Sequence, residues 1–100
     1  MSLLPYIFSK QAVVDLEQIW IYTCEKWSVA QADRYYLLII DEVNYICKNT
    51  NAGRSMDDIR IGYRVSKVKS HLIFYRVVKD TVEIIRILHE RMDIENQLTR

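Results

Sequence analysis

The stretch that most narrows what this chain can fold into runs from His71 to Asp93, HLIFYRVVKDTVEIIRILHERMD. Two runs rich in β-branched and aromatic residues, Leu72 to Val78 and Val82 to Leu88, are separated only by Lys79-Asp80-Thr81. That is the pattern of a β-hairpin. Both runs are too apolar for a ribbon with one wet face, so the pair belongs in the middle of a sheet with helices over at least one side. Arg76 and Arg86 interrupt them. A cation inside a strand built for burial has to reach water, a carboxylate or an anionic ligand, so both are expected on the sheet face away from the core.

The first half of the chain supplies the helices. Leu3 to Phe8 reads as a short strand, with Pro5 confining it to a sheet edge or falling within the strand's first residues. Ser9 can cap a helix from Lys10 to about Lys26, in which Ala12, Val13, Leu16, Ile19, Trp20 and Thr23 recur at helical spacing. Ser28 and Gln31 have the spacing of a capping box and open a second helix from Val29 to about Lys48. Its stripe is Ala32, Tyr36, Ile39, Ile40, Val43, Ile46 and Cys47. Tyr35, Leu37, Leu38 and Tyr45 lie outside that stripe or at its border, more apolar surface than one contact face needs. The short connection makes the two helices an antiparallel hairpin. Asn49 to Asp58 is rich in turn formers, and Asn51 and Gly53 are its positions for positive φ. Ile59 to Val68 resumes strand character, Lys69-Ser70 turns into the central hairpin, and residues 93–100 are a polar tail with room for one helical turn. The expected fold is α+β, in the order β-α-α-β-β-β, with an antiparallel sheet and the helix hairpin packed on one face.

Composition fits one domain spanning residues 1–100, since 50% of the residues are hydrophobic and only 2 are glycine and 1 proline. Residues 1–50 carry 4 cations and 6 anions (net −2) and residues 51–100 carry 10 cations and 7 anions (net +3), which together give the formal +1. The positive excess gathers at Arg54, Arg60, Arg64, Lys67, Lys69, Arg76 and Lys79. Such a strip suits an acidic partner, and equally a solvated sheet edge that resists aggregation. The N-terminus lacks the basic and apolar regions of a signal peptide, and no apolar run approaches the ~20 residues of a membrane span. A cytoplasmic location is expected. Cys24 and Cys47, near the ends of the two helices, should lie on the order of 30 Å apart, too far for a disulfide. Neither has a cysteine or histidine at metal-site spacing, so no metal and no cofactor is expected.

Several short motifs, taken in order, resemble a known family. They are Asp15-Leu16-x-x-Ile19-Trp20-x-Tyr22-Thr23, then Trp27, Gln31-Ala32-Asp33-x-Tyr35-Tyr36, Gly53-Arg54 and Ile59-Arg60-x-Gly62-Tyr63-Arg64. Ser70 to Arg76 and Ile84-Ile85-Arg86-Ile87-Leu88-His89-x-x-Met92-Asp93 complete the set. Together they are similar to the ParE branch of the RelE/ParE toxin superfamily. The resemblance implies the toxin of a type II toxin–antitoxin pair, neutralised by a ParD-like antitoxin. It also implies DNA gyrase as the target, a non-enzymatic mode of action that leaves gyrase stalled after strand cleavage, and no sequence-specific DNA binding by this chain alone.

The sister RelE branch cuts ribosome-bound mRNA, which requires cations for phosphate and a group that shifts protons, usually with a Tyr or His near the C-terminus. That is the alternative reading here. Arg60, Arg64, Arg76, Arg86 and Arg91 could supply the cations and His89 the base, while His71 fits a turn. The tail Ile94 to Arg100 has neither Tyr nor His, which favours the branch without catalysis and leaves no catalytic residue to name. On this reading Trp20, Leu37, Leu38 and Tyr45 receive an apolar antitoxin segment. Arg60, Arg64 and Arg86 meet antitoxin carboxylates or pair internally with Asp57, Asp58 and Asp93. His89, Arg91, Met92 and Asp93 are the expected target contacts.

Overall fold

The computed structural model describes residues 3–99. In chain order the elements are β1 (Tyr6–Phe8), α1 (Lys10–Lys26), α2 (Val29–Lys48), β2 (Arg54–Ser55), β3 (Arg64–Val68), β4 (His71–Val78), β5 (Thr81–His89) and α3 (Ile94–Thr99). The α+β architecture and the helix hairpin on one sheet face are as expected. Both helix starts follow the caps, with Ser9 Oγ accepting from Ala12 N and Ser28 Oγ accepting from Gln31 N, each at 3.0 Å. The second box is half-formed, because the Gln31 side chain accepts from Arg34 instead of turning back to Ser28.

The sheet has the order β1-β5-β4-β3-β2, with the β4–β5 hairpin in its centre. Its sense is mixed, not purely antiparallel. β1 runs parallel to β5, pairing Tyr6 with Val82 and Phe8 with Ile84. The reason is topological: α1 and α2 intervene between β1 and the hairpin, so β1 can return to the β5 edge in either sense. The hairpin closes through a two-residue turn in which Lys79 and Asp80 have φ of 50° and 60°. Positive φ at both central positions is the geometry that matches the twist of paired strands.

A bulge shapes the middle of the sheet. Phe74 pairs with Arg86 and Tyr75 with Ile84, so Ile85 is an extra residue on β5. As a result Ile84 and Ile87, three positions apart, both reach the helix side. There they join Val43, Ile46, Ile39, Ile73 and Tyr75 in the main core.

The opposite face was expected to be open and cationic. It instead carries a second apolar cluster of Met56, Tyr63, Val65, Phe74, Leu88 and Leu98, closed by the loop before β3 and by α3. The stretch Ile59 to Tyr63 is accordingly a turn rather than strand, because Ile59 and Tyr63 fold over that cluster while Ile61 points to solvent. Positive φ falls at Gly62, at 86°, and not at Asn51 or Gly53. Gly53 is needed for close approach: a Cβ there would lie 2.5 Å from the buried Tyr75 hydroxyl. That hydroxyl accepts from Gly53 N at 2.9 Å and donates to Thr50 O at 2.8 Å, pinning the loop after α2 to the sheet. The tail forms α3, with Asp93 accepting from Asn96 N at its start. Arg100 lies outside the described residues. No helix among the described residues is long and apolar enough to cross a membrane, and both cysteines are free thiols.

Candidate functional site

Two separate concavities flank the helix hairpin. The first is an apolar groove of about 920 Å³ between α1, α2 and β1. Its floor and walls are Phe8, Leu16, Trp20, Ile21, Tyr36 and Ile40, and its charged lining residues are Glu17 and Asp33, both anionic. Trp20 donates its indole N–H to Asp33 at 3.0 Å, which fixes the ring as one wall. Along the flanks, Val13, Ile21, Tyr36 and Leu37 are 44%, 43%, 41% and 57% exposed. Contiguous apolar surface of this kind on a small chain marks a place where another surface belongs.

The second concavity is a cleft of about 930 Å³ between the α1–α2 corner and the ends of β3, β4 and β5. At its base the Tyr35 hydroxyl stands 2.6 Å from His71 Nδ1 and 3.3 Å from the Val68 carbonyl. The His71 and His89 rings meet edge to face, 5.2 Å apart. Burial, and then the neighbouring His89, push the His71 imidazole down to about 4, so it is neutral near pH 7; Glu90 opposes the shift only in part. His89 Nδ1 accepts from Arg91 N at 3.1 Å. The His89 proton therefore sits on Nε2, leaving an N–H donor.

The arginines divide by what they touch. Arg86 donates from Nε and Nη2 to the two oxygens of Asp15 on α1, at 2.7 and 3.0 Å. Asp15 also accepts from Ile87 N at 3.0 Å. The cause is the early end of β1 at Phe8: beyond it β5 has an unpaired backbone N–H, and α1 brings a carboxylate to it. Arg86 thus does not stand on an open sheet face, and its internal partner is none of Asp57, Asp58 and Asp93. Arg76 pairs across the hairpin with Glu83 at 2.6 Å. Arg64 donates to Gly53 O at 2.5 Å. Arg60 and Arg76 both lie over the Tyr63 ring, at 5.5 and 5.9 Å from its centre.

A helix hairpin over this sheet, with Trp20 and Asp33 bridging the helices and Asp15 locking α1 to β5, can be compared with known proteins. Residues 6–94 match the model of the ParE toxin of type II toxin–antitoxin systems, parDE. The chain belongs to the ParE toxin family. Toxin ParE1 of Mycobacterium tuberculosis is 38% identical over 94 residues, covering 93% of this chain and 96% of that one. Toxin ParE1 of Caulobacter vibrioides is 37% identical over 94 residues, covering 94% and 97%. A solved structure of a chromosomal ParDE TA system from P. aeruginosa superposes with a TM-score of 0.75 at 21% identity, over 87% of this chain and 96% of that chain. That likeness establishes the ParE fold here.

Within this ParE fold the residues singled out from sequence do not form one site. Trp20 walls the groove and Leu37 stands exposed beside it. Leu38 faces the cleft on the other side of α2, and Tyr45 is exposed farther along that helix, lining neither. His89 and Met92 share the cleft. Arg91 is exposed, and Asp93 caps α3. Sequence reasoning missed the part Asp15 plays, although Asp15 opens the first quoted motif, because nothing in a helical pattern shows which carboxylate will meet a strand 71 residues away. It also missed Tyr35, read as surplus grease, whose spacing of one position from Tyr36 in fact sends the two rings to opposite concavities.

Proposed function

We propose that this ParE toxin acts in the cytoplasm by binding DNA gyrase and holding it after strand cleavage, and that a cognate ParD-like antitoxin silences it by laying an apolar helical face into the groove between α1, α2 and β1. The observation that carries the antitoxin half is the groove itself: an apolar channel with exposed flanks at Val13, Ile21, Tyr36 and Leu37 and a rim of Glu17 and Asp33. An amphipathic helix supplies apolar anchors at matching spacing, and basic residues beside them would suit the acidic rim. Trp20, Leu37, Leu38 and Tyr45 lie on or near the path of a segment that wraps the hairpin. Arg60, exposed beside Tyr63, is the arginine of the predicted set most able to meet an antitoxin carboxylate, since Arg64 and Arg86 already hold internal partners.

A non-enzymatic mode is supported by how the histidines are used. His71 is neutral and bound to Tyr35, and His89 accepts a backbone N–H, so both rings are tied into the scaffold. His89, Arg91 and Met92 remain the proposed target contacts, with Asp93 holding α3 in place beside them. Induction in cells tests this reading. Gyrase poisoning predicts filamentation and a DNA-damage response while mRNA stays intact, and at most a partial loss of toxicity in the His89→Ala variant, because one of several target contacts is removed. Early arrest of translation with cut transcripts, abolished by His89→Ala, would replace it with the nuclease reading.

A further inference from the structure

The cleft differs from the groove in charge and in what it exposes, and no residue lines both. Its cationic lining residues are Lys26, Arg34 and Lys69, and its one carboxylate, Asp15, is already committed to Arg86 and Ile87. Among the described residues neither Lys26 nor Lys69 has a salt-bridge partner. At the rim Tyr22 and Trp27 are 62% and 71% exposed. Trp27 closes α1 by donating its backbone N–H to Thr23 O, and its indole contributes little burial to the fold. His89 adds an N–H donor without a protein partner among the described residues.

Uncovered aromatic faces beside unpaired cations suit a flexible polyanion that carries π faces of its own. An acidic peptide would use the lysines and leave the rings idle. A duplex keeps its bases stacked inside and offers the rings nothing. We propose that this cleft binds a short segment of single-stranded nucleic acid, with bases stacked on Trp27 and Tyr22 and phosphates held by Lys26 and Lys69. Because the groove is lined by a different set of residues, an antitoxin helix seated in the groove leaves Tyr22, Lys26, Trp27 and Lys69 uncovered, whereas the proposed gyrase contacts His89 and Met92 line this same cleft.

The test is fluorescence anisotropy of a labelled oligo-dT of roughly ten nucleotides, a length within the site sizes of such surfaces, titrated with the full chain. Two phosphate contacts on a single strand predict that affinity falls about sevenfold between about 50 and about 200 mM salt. Trp27→Ala should weaken binding by about five- to 150-fold, the loss of one base stack. The paired substitution Lys26→Gln and Lys69→Gln should flatten the salt dependence. All three side chains are exposed, so the variants keep their fold, and thermal unfolding verifies it. The proposal is overturned by an oligonucleotide that does not bind, by binding that ignores these folded variants, by tighter binding of a duplex of the same length, or by polyglutamate competing as well as the oligonucleotide.

Discussion

Replacing Asp15 by alanine should unfold this protein more readily than any other single substitution of a polar side chain outside the loops. Asp15 and Arg86 are 11% and 16% exposed, and the carboxylate serves two guanidinium nitrogens and the Ile87 amide at once. Hydrogen bonding to Asp15 raises the Arg86 pKa while burial opposes the shift; with Asp15 gone the guanidinium still stays charged, because its ordinary pKa lies far above neutral. Breaking a fully buried pair costs about 3–5 kcal/mol. Arg86 keeps some water and a 3.4 Å contact to the Gln97 side chain, which reduces its share. A fair figure is about 2–3 kcal/mol for the stranded charge, with about 1 kcal/mol more for the unpaired Ile87 N–H. A loss of about 3–4 kcal/mol is a large part of the ~5–15 kcal/mol that holds a small domain together. In urea the midpoint should drop by on the order of 1–4 M with the slope unchanged. The double variant Asp15→Leu with Arg86→Met should recover most of the loss, because apolar groups of similar size leave no charge behind. A loss under about 1 kcal/mol for Asp15→Ala, or a double variant no better than the single one, would refute the assignment of this pair as the lock between α1 and β5.

Other outcomes follow from the same geometry. Gly53→Ala would place a Cβ 2.5 Å from the Tyr75 hydroxyl and should cost about 1–3 kcal/mol in denaturant unfolding. Asp80→Gly, at a φ of 60°, should stabilise the hairpin by up to about 1 kcal/mol, read as a higher melting temperature. His71, whose pKa falls from an unfolded 6.5 to about 4, contributes stability that is present above pH 6.5 and lost as the pH falls towards 4. Between neutral pH and about pH 5 the loss should be about 1–2 kcal/mol, and His71→Gln should remove that part of the pH dependence. Ile21→Asp in the groove should weaken antitoxin binding by about ten- to 100-fold in calorimetry, at a stability cost of about 1–2 kcal/mol, since the side chain is more than half buried.

The parts of the fold that local chemistry dictates were legible in the sequence. Ser9 and Ser28 announce their helices because a cap is read within four residues, and the β4–β5 hairpin is announced by its own apolar runs. What escaped depends on contacts between distant segments. The parallel docking of β1 is set by how α1 and α2 carry the chain back, which leaves no mark on Tyr6 to Phe8. Arg86 looked like a cation on a wet face because the bulge at Ile85, which turns it towards α1, breaks the alternation on which that reading relied. The second core escaped for a related reason. Ile59 and Tyr63 resemble strand residues, yet Gly62 at positive φ turns the segment back over Phe74 and Leu98. Of the candidate site, the apolar surplus on the helices was visible as Tyr35, Leu37, Leu38 and Tyr45. Its division into a groove and a cleft was not, since that depends on where β1 and the β3–β4 turn meet the helix hairpin.

The most direct test of a toxin that grips rather than cuts is a cleavage assay with purified gyrase and supercoiled plasmid, stopped with detergent and protease. Linear plasmid should accumulate in proportion to added toxin, only when gyrase is present, and an excess of antitoxin should prevent it. Plasmid left intact at stoichiometric toxin, alongside cleavage of ribosome-bound mRNA by the same preparation, would contradict the gripping mode.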